Sequence, residues 1–353
     1  MDIKNKKLII NLALLIITVT LFFIIFEIIL RIILGPGNIQ DNKGNLIFVQ
    51  DDKLGHKMKP NFTGYLKGID FNTKINTNSQ GYRSFEFNVN DKNIIFMVGD
   101  SMVLGHGVEE NETASFLLQD NLNNSHIVYN LGVPGYGQKQ APIQLKRMLP
   151  LYKPELVILN FYVGNDLADN CEITPHKIAG TIDENKTAFE KIKSIIKKSQ
   201  VVLFLYKSII VPQKNPTDLP FHINDPSIEE CYNITKQYLS EIKNLTLGYK
   251  TKLFMVIIGS EPQTVKEKEK ALIKNYEKFD IYRDNKEKFN LYNINKKILN
   301  MCEELSIKCF DLTPIFKEKD GELILYVKDR HWNREGHKLA SQAITEYLKN
   351  LEQ

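Results

Sequence analysis

Residues 93–101 read NIIFMVGDS, an apolar run that ends at Gly99, Asp100 and Ser101. A short continuous apolar run that stops at such residues is typical of a buried parallel strand followed by a loop. Comparable runs occupy 127–133, 155–163, 252–259 and 308–312. Segments with the spacing of amphipathic helices lie at 113–122, 138–152, 293–305 and 334–351. Strands that alternate with helices predict an α/β fold, with helices on both faces of a parallel five-stranded sheet.

The chain is predicted to consist of three parts. Residues 1–37 form a cytoplasmic tip and a transmembrane helix, and residues 38–91 form a polar lead-in with short strands that packs on the main domain. Residues 92–353 form the main domain, which an insertion at 167–249 interrupts. An insertion of this length is usually a lid, a binding subsite or a small subdomain. Its amphipathic segment, 189–210, is expected to pack on the sheet rather than on lipid.

The N-terminal segment is predicted to be a membrane anchor. Lys4, Lys6 and Lys7 precede an apolar run, and residues 8–26 contain no charged side chain. About 20 such residues are needed to cross a bilayer, whereas a cleaved signal peptide has a shorter core and a small-residue cleavage site. Because lysine-rich flanks stay cytoplasmic, the chain is expected to cross the cell membrane once, with its N-terminus cytoplasmic and its main domain outside.

Composition and cysteine content limit which binding partners, cofactors and disulfides are expected. The formal net charge is +4 and no stretch interleaves basic and aromatic residues, so no nucleic acid is expected. No cofactor and no metal are expected, since the chain has no Cys-x-x-Cys pair and no His-rich cluster. The even number of cysteines fits two disulfides in an exported domain, and it fits free buried thiols comparably well. They are Cys171, Cys231, Cys302 and Cys309, of which the last two could meet at a helix end and the next strand start.

Candidate site residues follow the predicted strands at the edge of the sheet where ligands bind in open parallel sheets. Ser101 follows the first strand, Gly135 the second and Asn165 the third, and Asp329 and His331 precede the last helix. A serine hydroxyl becomes a nucleophile when a base such as His331 takes its proton, and Asp329 can hold the other ring nitrogen. Attack on an ester creates an oxyanion, which needs donors. The candidates are the backbone N–H groups of Ser101 and Gly135 and the side-chain amide of Asn165.

Each of these residues also has a purely structural explanation. A serine after a strand is more often a helix cap, and the glycines and Asn165 could simply form turns. Lone histidines are interpreted as structural, and these are His106, His126, His176, His222 and His337. The order and spacing of the motifs make the stronger case.

The motifs resemble those of the SGNH hydrolase superfamily, also called GDSL-type esterases and lipases. They are Gly99-Asp100-Ser101, Asn130-Leu131-Gly132-Val133-Pro134-Gly135, Gly164-Asn165-Asp166 and Asp329-Arg330-His331-Trp332-Asn333. The resemblance covers 93–352 without the insertion. It implies a three-layer α/β/α, flavodoxin-like fold. It also implies Ser101 as nucleophile, His331 as base, and Gly135 and Asn165 as oxyanion donors.

One departure from the family pattern concerns its last motif. A single residue separates Asp329 from His331 in this chain, whereas two are commonest in the family. The shorter spacing is similar to that of the membrane-associated polysaccharide O-acetyltransferase branch. Asp329 is expected to hold the imidazole of His331, and a backbone carbonyl is the alternative partner.

Three functions are compatible with these residues. The first is an extracytoplasmic esterase that cleaves carboxylic esters, including O-acetyl groups on a glycan. The second is an O-acyltransferase, in which a sugar hydroxyl replaces water; with one span, it would need a separate multi-span acyl-donor partner. The third is a non-catalytic, membrane-tethered glycan-binding module. The single span favours the esterase, and intact motifs disfavour the binding module.

Overall fold

An apolar helix, α1, covers Ile3–Leu34 in the computed structural model, which describes residues 3–34, 39–171, 219–223, 225–320 and 325–351. Its window Ile10–Ile28 has a mean hydropathy of 2.4 and is long and apolar enough to cross a membrane. The side chains of residues 10–25 are exposed, in contrast to those of a buried core helix. A helix of this length and composition serves as an anchor or as a signal sequence, so the anchor and its orientation stay predictions.

The other described elements belong to one compact unit, within Asn38–Thr181 and Pro216–Gln353. It begins with two antiparallel hairpins in the region predicted as the lead-in. Their strands are β1 Phe48–Asp51, β2 Gly55–Met58, β3 Thr63–Lys67 and β4 Asn72–Asn76. Alternate residues of β2, β3 and β4 are buried, which is the period of a strand with one covered face. Their side chains, including Leu66 and Ile75, form one cluster with Val133 and Tyr136 of the main domain.

A parallel five-stranded sheet follows, as the sequence predicted. Its strands are β5 Ile94–Val98, β6 Ile127–Asn130, β7 Leu156–Tyr162, β8 Lys252–Ile258 and β9 Lys308–Asp311. Their order across the sheet is β6-β5-β7-β8-β9, which is the doubly wound, flavodoxin-like order. The second strand was predicted to reach residue 133 and ends earlier. Beyond it the side chain of Asn130 accepts the backbone N–H of Gly132, while the N–H groups of Leu131 and Val133 still donate to the carbonyls of Met97 and Gly99.

The sheet separates two hydrophobic clusters, one on each face. Along β5, Ile94, Phe96 and Val98 point into one cluster, and Ile95 and Met97 point into the other. The described helices of this unit are α2 Ser101–Leu104, α3 Ala114–Asn121, α4 Ala141–Tyr152, α5 Asp166–Asn170, α6 Leu219–His222, α7 Glu229–Gly248, α8 Glu261–Thr264, α9 Lys266–Tyr276, α10 Asp280–Asp284, α11 Asn293–Glu304, α12 Thr313–Glu318 and α13 Arg334–Leu351. Helices α4, α7 and α11 cover the first cluster, and α3, α12 and α13 cover the second. This is the predicted three-layer α/β/α arrangement.

Helix α7 corrects the C-terminal limit of the insertion predicted at 167–249. Its residues Tyr232, Leu239 and Ile242 are buried in the core against the sheet. It is therefore the crossover helix between β7 and β8, as parallel strands require, and it belongs to the core of the main domain. The amphipathic segment predicted at 189–210 lies outside the described residues.

The four cysteines form two disulfides, Cys171–Cys231 and Cys302–Cys309. The second joins the end of α11 to β9, which is the pairing that the sequence suggested. The first joins residues 60 positions apart, from the end of α5 to the start of α7. Closing a loop of that length stabilises the folded state by about 4 kcal/mol in the chain-entropy account of disulfides.

A buried arginine fastens the lead-in to the loop after α2. The side chain of Arg83 is 1% exposed. Its guanidinium donates hydrogen bonds to the backbone carbonyls of Lys74, Leu104, Gly105 and Val108. Burial lowers the pKa of Arg83 to about 10, so the group is still charged at neutral pH. The four carbonyl oxygens replace the water that would otherwise solvate the charged guanidinium.

We expect Arg83→Met to lower the free energy of unfolding by about 3 kcal/mol or more, because several buried carbonyls lose their donor at once. The measurement is urea unfolding of the full-length protein in detergent micelles. Arg334→Met is the matched control, because that side chain is 72% exposed and its ion pair with Glu112 is long, at 3.7 Å. The control should change stability by less than about 0.5 kcal/mol. Equal effects of both substitutions would contradict the role given to Arg83.

Candidate active site

Three of the predicted site residues, Ser101, Gly135 and Asn165, follow the carboxyl ends of three neighbouring strands, whereas Asp329 and His331 lie in the turn before the last helix. Strand β5, which leads into Ser101, lies between β6 and β7. The loop with Gly135 follows β6, and Asn165 follows β7. Because parallel strands all end at the same edge, these two loops flank Ser101 from opposite sides. The chain reverses its winding direction at this point, and the crevice there is the usual ligand site of such sheets.

Local sequence holds Ser101 at the tip of β5. The Asp100 side chain accepts the backbone N–H of Met102 at 2.9 Å and caps the one-turn helix α2, in which Ser101 is the first residue. Gly99 must be small here, since an added Cβ would lie 2.6 Å from Cγ2 of Val103. Gly105 ends α2 with a φ of +82°, a conformation that glycine adopts without strain. The Gly-Asp-Ser sequence therefore forms a sharp strand-to-helix turn.

Ser101 is hydrogen-bonded to His331, and His331 to Asp329. The Ser101 Oγ lies 2.8 Å from Nε2 of His331, and Nδ1 of His331 lies 3.0 Å from Oδ1 of Asp329. An ionised carboxylate only accepts hydrogen bonds, so the proton is on Nδ1. Nε2 is then free to accept the serine hydroxyl. This is the arrangement of a nucleophile, a base and a group that orients the base.

The single residue between Asp329 and His331 is sufficient because the chain turns sharply there. Arg330 has a φ of +74°, and the Val327 N–H donates to the His331 carbonyl at 2.9 Å. Oδ1 of Asp329 accepts the backbone N–H of His331 at 3.2 Å as well as its ring N–H. Between the two partners that the sequence left open, the carboxylate is the one that faces Nδ1.

His106, a lone histidine in the sequence that was interpreted as structural, lies within this group. Its Nε2 donates to Oδ2 of Asp329 at 2.8 Å, and its ring stacks on that of His331 with centroids 3.9 Å apart. Phe71 of the lead-in packs against His106 in a T-shaped arrangement, with ring centroids 5.5 Å apart. A lone histidine has no local pattern that separates this position from an ordinary one. The only available signal was its place five residues after Ser101, between two glycines.

The two imidazoles keep the shared carboxylate ionised. Burial alone would raise the pKa of Asp329, but the hydrogen bonds from His106 and His331 outweigh it, so its pKa is well below the usual range. Burial lowers the pKa of His106, with a smaller opposing effect from Asp329. His106 is therefore a neutral donor at neutral pH, stacked on the ring that would carry the positive charge.

The donor atoms of His106, Asp329 and His331 lie within 4.8 Å of one another, which is close enough to consider a metal ion. The rings are stacked with an interplanar angle of 17°. Imidazole binds a metal in its ring plane, and two nearly parallel planes do not share a point between the rings. The geometry of this cluster therefore fits hydrogen bonding better than metal coordination.

Gly135 lies in a turn whose free N–H groups suit an anion. The turn runs from Val133 to Tyr136, closed by a 3.1 Å bond from the Tyr136 N–H to the Val133 carbonyl. Pro134 is its second residue and Gly135, with a φ of +77°, its third, which is the signature of a type II turn. Within the described part of the chain, the N–H groups of Gly135 and Ser101 donate to no acceptor.

Asn165 is half-buried, and its amide faces a carboxylate. Nδ2 donates to Oδ2 of Asp169 at 2.6 Å, and Oδ1 has no hydrogen-bond partner among the described residues. One N–H of the amide is left for an external acceptor. Close by, burial raises the pKa values of Asp100 and Asp166, and their mutual repulsion adds to the effect on Asp166.

Comparisons with known proteins find similarity only at the level of solved structures. No protein-family profile and no curated protein sequence matches the chain. An acetyl xylan esterase, AlAXEase, shares 12% identity at a TM-score of 0.41, over 72% of this chain and 98% of its own. The esterase EstA from Pseudoalteromonas sp. shares 12% identity at a TM-score of 0.40, over 74% of this chain and 98% of its own. A catalytic mutant of Axe2, an acetylxylan esterase from Geobacillus stearothermophilus, shares 11% identity at a TM-score of 0.41. The match covers 72% of this chain and 94% of that one. Likeness this distant carries no information about the reaction of this chain.

We expect His106→Phe to slow the labelling of Ser101 by a fluorophosphonate about tenfold. The phenyl ring keeps the stack on His331, but Asp329 loses a charge-assisted hydrogen bond of about 1.5–3 kcal/mol that orients it. The measurement is the second-order labelling rate constant of the full-length protein in detergent. His126→Phe is the control, since His126 contacts Glu155 at 3.6 Å, away from this edge of the sheet. An unchanged rate in His106→Phe would show that Asp329 needs no second donor.

Proposed function

We propose that the chain is a serine esterase of the SGNH type that cleaves carboxylic esters through an acyl-enzyme on Ser101. The observation that carries the proposal is the hydrogen-bonded series from Ser101 Oγ to His331 and on to Asp329, at 2.8 and 3.0 Å. Both distances lie within the reach needed for proton transfer and for orienting the base. The N–H groups on both sides of Ser101 supply the second requirement, stabilisation of an oxyanion.

The first half of the reaction forms the acyl-enzyme. Ser101 Oγ attacks the ester carbonyl carbon while its proton passes to Nε2 of His331. Negative charge develops on the carbonyl oxygen, where the N–H groups of Ser101 and Gly135 and the amide of Asn165 can donate to it. His331 then gives the proton to the alcohol oxygen as the carbon–oxygen bond breaks, and the acyl group stays on Ser101.

The second half repeats these steps with water as the nucleophile. Water attacks the acyl carbon and gives a proton to His331, which returns it to Ser101 as the acid leaves. During both halves His331 passes through the imidazolium form. The ionised carboxylate of Asp329 and the neutral ring of His106 are then its neighbours, so the positive charge meets one anion and one aromatic face.

The enzyme is proposed to act outside the cytoplasm, on O-acetyl esters of a glycan. The apolar window Ile10–Ile28 would anchor it in the cell membrane, and Lys4, Lys6 and Lys7 would keep the N-terminus cytoplasmic. The two disulfides support export, since such bonds persist in oxidising compartments.

An O-acyltransferase is the second candidate, favoured by the single-residue spacing between Asp329 and His331. In that reaction a sugar hydroxyl takes the place of water, and a multi-span partner delivers the acyl group across the membrane. A non-catalytic glycan-binding module is disfavoured, because a binding surface has no use for a serine hydrogen-bonded to an oriented histidine.

We expect Ser101→Ala to lower kcat/KM for a short-chain aryl acetate by a factor on the order of 10⁴ or more, since the nucleophile is lost. The assay uses the full-length protein in detergent. Ser125→Ala is the matched control, because Ser125 Oγ also hydrogen-bonds to a histidine, His126, at 2.9 Å but lies before β6, at the opposite end of the sheet. Wild-type hydrolysis by the Ser101 variant would overturn the proposal.

The same preparation separates the two enzyme candidates. An acetyl donor is supplied together with oligosaccharide acceptors, and the products are identified by mass spectrometry. We expect acetate without acetylated sugar. Acetylated sugar that disappears in Ser101→Ala would instead establish the transferase.

A further inference from the structure

A histidine of the lead-in contacts the turn that carries Gly135. Nε2 of His56 lies 2.8 Å from the carbonyl oxygen of Pro134, 78 residues further along the chain. A carbonyl oxygen only accepts hydrogen bonds, so Nε2 carries the proton and donates it. The contact is buried, since His56 is 7% exposed.

This contact determines where the Gly135 N–H points. The Pro134–Gly135 peptide is trans, and in a trans planar peptide the C=O and N–H bonds point in opposite directions. With the carbonyl directed at His56, the N–H is directed away from the lead-in. On the basis of the proposed esterase function, we propose that His56 is a positioning residue, which holds the Gly135 N–H in the orientation that receives the oxyanion.

The turn alone does not fix the orientation of the Pro134–Gly135 peptide. Types I and II differ by a half-rotation of the central peptide, and a glycine at the third position permits both. A flipped peptide would direct the Pro134 carbonyl, rather than the Gly135 N–H, at the developing negative charge. The hydrogen bond from His56 is available only to the type II form and therefore favours it. Proline at the second position presets φ in either form and does not replace this bond.

His56 is in turn held by its surroundings. Its ring packs edge-on against Phe48 of β1 at 5.2 Å and against Tyr136 at 5.1 Å. The hydroxyl of Tyr136, the last residue of the turn, donates to the backbone carbonyl of His56. The strand and the turn thus bind each other through two hydrogen bonds in opposite directions, so neither side chain can swing away alone.

The test compares His56→Phe with His56→Gln in the full-length protein, with an aryl acetate as substrate. Phenylalanine keeps the packing but loses the donor, whereas glutamine keeps an N–H donor. Loss of a whole oxyanion donor costs about 10²–10³ in kcat, and a loosened one should cost less. We expect kcat of His56→Phe to fall by about tenfold to a hundredfold with KM within about twofold, and His56→Gln to recover most of the loss.

A second measurement separates positioning from general destabilisation. A trifluoromethyl ketone forms a tetrahedral adduct on the serine, with its oxygen in the position of the oxyanion. Its affinity should fall in His56→Phe by the same factor as kcat. Ile298→Val is the control, because it removes a buried methyl group of helix α11 from a hydrophobic cluster that includes neither His56 nor the turn, at a cost of about 0.5–1.5 kcal/mol, and it should leave kcat unchanged.

The outcomes distinguish this inference from the proposed function. Ser101-dependent hydrolysis with an undiminished kcat in His56→Phe would overturn the role of His56 alone. An equal loss of kcat in Ile298→Val would do the same, since destabilisation would then explain it. Absence of Ser101-dependent hydrolysis in the wild-type protein would overturn the proposed function and the inference with it.

Discussion

The order of strands β6, β5 and β7 is the constraint on which the candidate site depends, because it sets Ser101 between two loops. The chain runs from β5 outward to β6 and then crosses to the other side of β5 to form β7. The loops after β6 and β7 therefore leave the sheet in opposite directions and open a crevice above β5. His331 reaches this crevice from 230 residues away, because the turn before α13 lies over the same edge. A single hydrogen bond between distant residues thus depends on the winding of the whole sheet.

The lead-in supports two separate loops of the site through three contacts and is more than a spacer after the N-terminal helix. Arg83 binds the carbonyls of the loop that carries His106. Phe71 packs on His106 itself, and His56 binds the turn that carries Gly135. Each contact fixes a backbone or ring that has no regular secondary structure to hold it. Loops at the end of a sheet are otherwise its least restrained part, so precise placement of their donors requires contacts from outside the main domain.

The sequence was informative where the signal is local and failed where it depends on tertiary contact. Strands such as β5 were predictable because five consecutive apolar residues leave few alternatives. Motif order and spacing selected Ser101, Asp329 and His331, which the structure joins by hydrogen bonds, while their catalytic roles stay a prediction. His56 and His106 carry no such pattern, since their roles arise from partners 78 and 223 residues away. The limit of the insertion was misplaced because α7 follows a long polar stretch, and its apolar face alone does not reveal what it packs against.

Carboxyl groups near Ser101 fall into two electrostatic classes, and the difference suits the proposed chemistry. Asp329 is partly exposed and accepts from two imidazoles, so its pKa is lowered and it stays ionised beside His331. Asp100 and Asp166 are buried, and burial raises the pKa of each. An ionised carboxylate next to the oxyanion would oppose the charge that forms there, whereas a protonated one does not. Burial therefore favours the neutral form of Asp166, while the pKa of Asp100, raised to about 6, does not make that group neutral at pH 7. The carboxylate that must be ionised, Asp329, is placed where donors surround it.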